Sequence, residues 1–129
     1  MIVTVTANPS LDRTVQVAEL RRGGVLRADH TTDEPGGKGV NVSRALATHG
    51  CKTVAVVCVG GTDGRRLVDL LDEAGVAVRP VPVSGPTRTN LTLAEPDGVV
   101  TKVNLPGPHL PPRDVEALVA AVGEAAEPG

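Results

Sequence analysis

Thr53 to Val59 is a nearly unbroken apolar and β-branched run, Thr-Val-Ala-Val-Val-Cys-Val, set between two segments of helical periodicity. A strand without a polar face is covered on both sides, as in a parallel sheet with helices above and below it. Before the run, Val42, Ala45, Leu46 and His49 recur at helical spacing and predict a helix over about 39–49, with Gly50 as its left-handed cap. After it, Gly60-Gly61-Thr62-Asp63-Gly64 turns into a second helix, with Leu67, Leu70, Leu71 and Ala74 on the buried face and Gly75 at its end. Val76 to Val83 alternates as a further strand, which Pro80 and Pro82 place near a sheet edge.

The flanking sequence extends this order. Residues 2–7 read as a buried amino-terminal strand, broken by Asn8-Pro9-Ser10. Residues 13–18 alternate like a half-exposed strand, Arg22-Gly23-Gly24 turns the chain, and residues 25–32 read as a short polar strand. Together they predict a small flap of sheet outside the core. Two alternating runs, 88–95 and 99–105, flank Pro96-Asp97-Gly98 and predict a hairpin. Pro111-Pro112 then opens a last helix with Val115, Leu118, Val119 and Val122 on its apolar face. The βαβ alternation predicts an α/β fold with a right-handed, parallel, two-faced sheet. A carboxyl-terminal helix normally leads to another parallel strand, so the expectation is an incomplete core that forms part of something longer.

Composition removes several function classes. The formal net charge of −2 gives no basic surface for nucleic acid or an anionic membrane. No apolar run reaches the length of a bilayer span, and the start lacks the basic region and cleavage site of a signal peptide. A cytoplasmic location is the expectation. Cys51 and Cys58 make neither a disulfide framework nor a zinc site and read as inert thiols in or near the core. His30, His49 and His109 are scattered. The chain has no Phe, Tyr or Trp, so its core must be built from Val, Leu, Ile and Ala.

The stretch richest in chemistry is Pro35-Gly36-Gly37-Lys38-Gly39-Val40-Asn41. Glycines let backbone approach a ligand, and a helix start offers unpartnered N–H groups and partial positive charge. Lys38 adds a full charge, and Asn41 a donor and an acceptor one turn on. An anion or a sugar suits this place, and so does a plain tight turn. A Walker loop is excluded: Gly39 stands where Ser or Thr is required, and no Gly occupies the earlier position. Asp12, just past the first strand, is placed for ligand contact or for a turn. Arg88 opens a hairpin arm, as an anion clamp or an exposed strand arginine. Arg27 on the flap is open to the same two readings.

Four stretches in order carry a family resemblance: Asn8-Pro9-Ser10-Leu11-Asp12, the run from Pro35 to Leu46, Gly60-Gly61-Thr62-Asp63-Gly64, and Thr87-Arg88-Thr89-Asn90. Together they resemble the PfkB (ribokinase-like) sugar kinases, in the form typical of 1-phosphofructokinases, with tagatose-6-phosphate kinases as near neighbours. The resemblance runs from residue 1 to about 126. It implies a ribokinase-like, Rossmann-type parallel sheet core, here incomplete, over 1–12, 33–86 and 106–129. A small β-strand lid would lie at about 13–32 and 87–105 and pair with a second subunit in a homodimer. It implies that Asp12, Gly36, Gly37 and Asn41 contact the sugar and that Lys38 and Arg88 face its phosphate. The family's catalytic aspartate, its ATP site and the residues around Mg²⁺ belong to the carboxyl half. Leu105 departs from the family, where an acidic residue is common.

The expectation is therefore the amino-terminal, substrate-binding half of an ATP-dependent kinase that converts fructose 1-phosphate to fructose 1,6-bisphosphate. Alone, this half is expected to be inactive and to bind neither ATP nor Mg²⁺. The alternatives are a kinase for tagatose 6-phosphate or fructose 6-phosphate, a non-catalytic sugar-phosphate-binding or dimerisation module, and a fragment that does not fold.

Overall fold

The computed structural model describes residues 1–127. Pro128 and Gly129, the last two residues of the expected core segment 106–129, lie outside the described residues. Ten elements follow one another: β1 (Ile2–Thr6), β2 (Ser10–Gln16), β3 (His30–Gly36), α1 (Lys38–Thr48), β4 (Thr53–Val59), α2 (Gly61–Glu73), β5 (Ala77–Pro82), β6 (Arg88–Ala94), β7 (Val100–Val103) and α3 (Pro112–Ala126). They form two sheets. The core sheet is parallel, in the order β1-β4-β5, and the lid sheet is mixed, in the order β3-β2-β6-β7. The fold is α/β, as the alternation predicts.

The central strand β4 explains the layering. Ala55 and Val57 point to one face and meet Val40 of α1 and Leu67 and Leu71 of α2. Val56 and Cys58 point to the other and meet Val81 and Ala121 of α3, with Val3, Leu118 and Val122 packed around them. The core is Val, Leu, Ala and a cysteine. Isoleucine contributes nothing to it, because Ile2 is about half exposed. Cys58 is buried, whereas Cys51 is exposed and has no part in the core.

Several sequence expectations need correction. The first strand is not covered on both faces. β1 is an edge strand whose Val5 is about half exposed, while Thr4 and Thr6 are buried. These threonines reset α1. Ser43 shares hydrogen bonds with Thr4 (2.6 Å) and Thr53 (2.8 Å), and Thr6 Oγ1 accepts the Val40 amide at 3.1 Å. The buried face of α1 is therefore Val40 and Ser43, and Val42 and Ala45 are exposed, while His49 is the exposed C-cap residue. On α3, Leu118 and Val122 pack as expected, but Val115 is 44% and Val119 65% exposed.

The lid also differs in register. Its second strand is not 25–32 but His30–Gly36, antiparallel to β2, with Arg13 opposite Asp33. Their ion pair at 2.8 Å stabilises a strand that has no apolar alternation to reveal it. β6 runs parallel to β2 from Ser10↔Arg88 to Gln16↔Ala94, and β7 returns antiparallel over only four residues. Pro80 and Pro82 do fall on an edge strand, β5.

Candidate functional site

The candidate site is built where the two sheets meet. The carboxyl end of β1, the start of α1, and the first residues of β2 and β6 enclose a cleft of about 440 Å³. It is lined by Asp12, Gly37, Lys38, Asn41 and Arg88, five of the six expected residues, and also by Asn90. A second cleft, about 490 Å³ between α2 and β5, is walled mainly by Val59, Val68, Pro80, Pro82 and Val83 and lacks such convergence of polar groups.

The start of α1 opens onto this cleft. Gly37 occupies the N-cap with φ at 129°, in a region that side chains disfavour, and makes no side-chain cap. A Cβ there would lie 2.7 Å from Thr6 Cγ2. No acidic residue stands in the first turn, so the helix's positive end is left without a resident counter-charge. Lys38 is exposed beside it. Asn41 follows one turn on, its amide bonded to the Gly37 carbonyl at 2.8 Å.

Asp12 stands inside β2, not in a loop after β1. Its Oδ1 accepts from Ser10 Oγ at 2.6 Å and from Asn90 Nδ2 at 3.4 Å. Asn90 is itself oriented, because its Oδ1 accepts the Leu105 amide at 3.1 Å. Its amide nitrogen must then point to the cleft side. Gly36 does not line the cleft. It is the buried floor beneath Asp12, and a Cβ there would collide with Asp12 Oδ2 and come within 2.6 Å of Ser10 Oγ.

Arg88 crosses the cleft from β6. Its Nη1 donates to the Leu105 carbonyl at 2.9 Å and its Nη2 to the Asn8 carbonyl at 3.3 Å. Its Nε is buried and has no partner. A buried cationic donor without an acceptor costs free energy unless something supplies one. The contact at Leu105 uses backbone atoms, so the unusual residue type there does not disturb it. With Lys38, Arg88 and the start of α1 against one carboxylate, Asp12, the cleft is set for an anion carrying hydroxyl groups.

Asn90 and Ser10 are the site residues that sequence reasoning missed. Asn90 was legible: it sits two residues after Arg88, and the strand period puts both side chains on one face. Arg27 does not line this cleft.

Residues 5–126 match the family model described as "pfkB family carbohydrate kinase". The chain belongs to the pfkB family of carbohydrate kinases. The 1-phosphofructokinase of Bacillus subtilis is 39% identical over 119 residues, which are 92% of this chain and 39% of that protein. That of Vibrio cholerae is 32% identical over 126 residues, 98% of this chain and 40% of the relative. Among solved structures, phosphofructokinase-2 from Escherichia coli in complex with fructose-6-phosphate superposes with a TM-score of 0.90 at 35% identity. That match covers 95% of this chain and 41% of the E. coli chain, and the same enzyme has a solved tetrameric inhibited form. This pfkB-family chain thus spans about 40% of the length of the relatives it matches.

Proposed function

We propose that the chain supplies the acceptor half of the active site of an ATP-dependent sugar-phosphate kinase, with fructose 1-phosphate as the sugar and fructose 1,6-bisphosphate as the product of the whole enzyme. The observation that carries this reading is the convergence of Arg88, Lys38 and Asp12 on one cleft. Lys38 and Arg88 hold the phosphate, with the start of α1 adding its partial charge. Asp12 accepts a hydrogen bond from a sugar hydroxyl, and Asn41 and Asn90 orient the others. Gly37 lets the sugar come against backbone. Gly36 keeps room for the Asp12 carboxylate.

The cleft's one carboxylate, Asp12, is already hydrogen-bonded by Ser10 and Asn90 and serves the sugar in this reading. ATP and Mg²⁺ belong, in this reading, to the rest of the kinase fold. So does the base that takes the proton from the attacking hydroxyl. A cytoplasmic location and a homodimer through the lid belong to the same reading. Val99, Val100 and Val103 on and beside β7 are each about half exposed and suit such an interface.

Calorimetry with the 129-residue chain tests the proposal. Fructose 1-phosphate is expected to bind, and Lys38→Ala or Arg88→Ala to weaken it at least tenfold, since a bond to a charged group is worth about 1.5–3 kcal/mol. With ATP and Mg²⁺ added, no ADP is expected above background. Absence of binding refutes the pocket, and ADP release at an enzyme-like rate refutes the half-site. A second reading, fructose 6-phosphate as the sugar, is favoured by the E. coli complex, and a parallel titration with that sugar decides between the two.

A further inference from the structure

Arg88 is held in place from the side away from the cleft. Side chains alternate along β6, so Thr87 and Thr89 face opposite to Arg88 and Asn90. Both threonines are tied to the first turn of α2. The Thr87 amide donates to the Gly60 carbonyl at 2.9 Å, and the Gly60 amide returns a bond to Thr87 Oγ1 at 3.1 Å. Thr89 Oγ1 donates to Asp63 Oδ2 at 2.6 Å. Gly64 allows the close approach, for a Cβ there would lie 2.9 Å from Thr87 Oγ1.

Charge reinforces this seam. α2 brings Asp63 and Arg66 to the lid, and the lid brings Arg13 and Asp33 to α2. Asp63 helps to raise the Arg13 pKa, after its hydrogen bond and ion pairing with Asp33, and Arg66 helps to lower that of Asp33. Unlike charges meet across the junction, so the lid strands favour one seat on the helix.

We propose that Asp63, acting through Thr89, is a positioning residue: it seats β6 on α2 so that the Arg88 side chain stands in the cleft toward the sugar phosphate. The inference rests on the sugar-phosphate reading of the cleft. Two of the guanidinium nitrogens are engaged by the carbonyls of Leu105 and Asn8, so the placement of the guanidinium in the cleft depends on where the strand lies. Asp63 has no place among the residues lining the cleft and acts only at a distance.

The test titrates fructose 1-phosphate into the 129-residue chain and into Asp63→Ala, Asp63→Asn, Thr89→Val and Thr89→Ser. Asp63→Ala and Thr89→Val are expected to weaken binding about tenfold, the equivalent of one charge-assisted hydrogen bond. Asp63→Asn still accepts from the hydroxyl and Thr89→Ser still donates, so both are expected to stay within about threefold of the parent chain. If Asp63→Ala fails to fold, the near-isosteric Thr89→Val carries the same test. Parent-like binding in Thr89→Val and Asp63→Ala overturns the positioning role alone, and so does equal loss in the conservative pair. A parent chain that does not bind fructose 1-phosphate overturns the sugar-phosphate reading, and this role with it.

Discussion

Gly36→Ala isolates the contribution of Asp12. Gly36 does not have a positive φ, so alanine meets no backbone penalty there. The obstacle is space. The new methyl group would collide with Asp12 Oδ2, and would lie 2.7 Å from Asp12 Cγ and 2.6 Å from Ser10 Oγ. The flexible neighbour is the carboxylate, which must leave Ser10 and swing into the cleft by about an ångström to reach ordinary contact distance. Overpacking of this kind costs about 1–3 kcal/mol of stability. Its effect on the site is larger in proportion, because a displaced acceptor forfeits a charged hydrogen bond worth about 1.5–3 kcal/mol, some 10- to 150-fold in affinity. The comparison is Gly50→Ala, where the methyl group meets nothing but φ is 71°, so that stability falls by about 1–2 kcal/mol without reference to the cleft. Urea unfolding and fructose 1-phosphate calorimetry on both variants separate the two costs. Gly36→Ala should lose affinity, and Gly50→Ala stability alone. Parent-like affinity in Gly36→Ala refutes the placement of Asp12 as a sugar contact.

Two further outcomes follow from the ionisable groups. Arg13, by hydrogen bond and charge, holds Asp33 below the ordinary carboxylate range, so the pair stabilises the fold above the unfolded pKa near 3.8 and that stability is lost as pH falls through the lower folded value. Urea midpoints should therefore drop below about pH 4, and Asp33→Asn should remove part of the drop, at most about 1 kcal/mol because the pair is partly exposed. Burial, and then the charge of Asp114, pushes the Cys58 thiol upward, while Cys51 is exposed. A thiol reagent at pH 8 should modify Cys51 alone in the folded chain and both cysteines in denaturant. Rapid modification of Cys58 without denaturant refutes the closed core.

The fold was legible wherever apolar period alone decided it. β4 is continuous because both its faces are covered, and α2 shows its stripe because it lies on Ala55 and Val57. The failures share one cause. α1 rests on Thr4, Thr6 and Thr53, so its buried face is set by hydroxyls, and a hydrophobic pattern selects the wrong side. β3 is polar throughout and is fixed by pairing with β2 and by Arg13–Asp33, neither of which leaves a local trace. Of the cleft, Lys38 and Asn41 were visible from the glycine-rich helix start. Asp12 and Arg88 gained weight only from the ordered family motifs, because a parallel β2–β6 pairing across almost eighty residues of chain brings them together.

The position of the cleft follows from chain handedness. From β1 to β4 to β5 the connections pass through α1 and α2 on one face of the core sheet, and α3 then crosses to the other face. Right-handed crossovers that step in one direction over one face must step in the opposite direction over the other. A parallel strand following α3 by the same rule would therefore pair with the free edge of β1. The surface agrees: Val5 lies on the α3 side of β1, and Val115 and Val119 lie on α3 opposite the side where Glu124 meets Arg79 of β5. All three are exposed and apolar. Such an addition would make β1 the place where the order of strands reverses, and open parallel sheets bind ligands in the crevice at the carboxyl ends of strands at that reversal. Val5, Thr6, Ala7 and Asn8, at and just past the end of β1, line the cleft. Asp12, Lys38 and Arg88 thus converge at the carboxyl end of β1, the edge strand at which such a reversal would open a crevice.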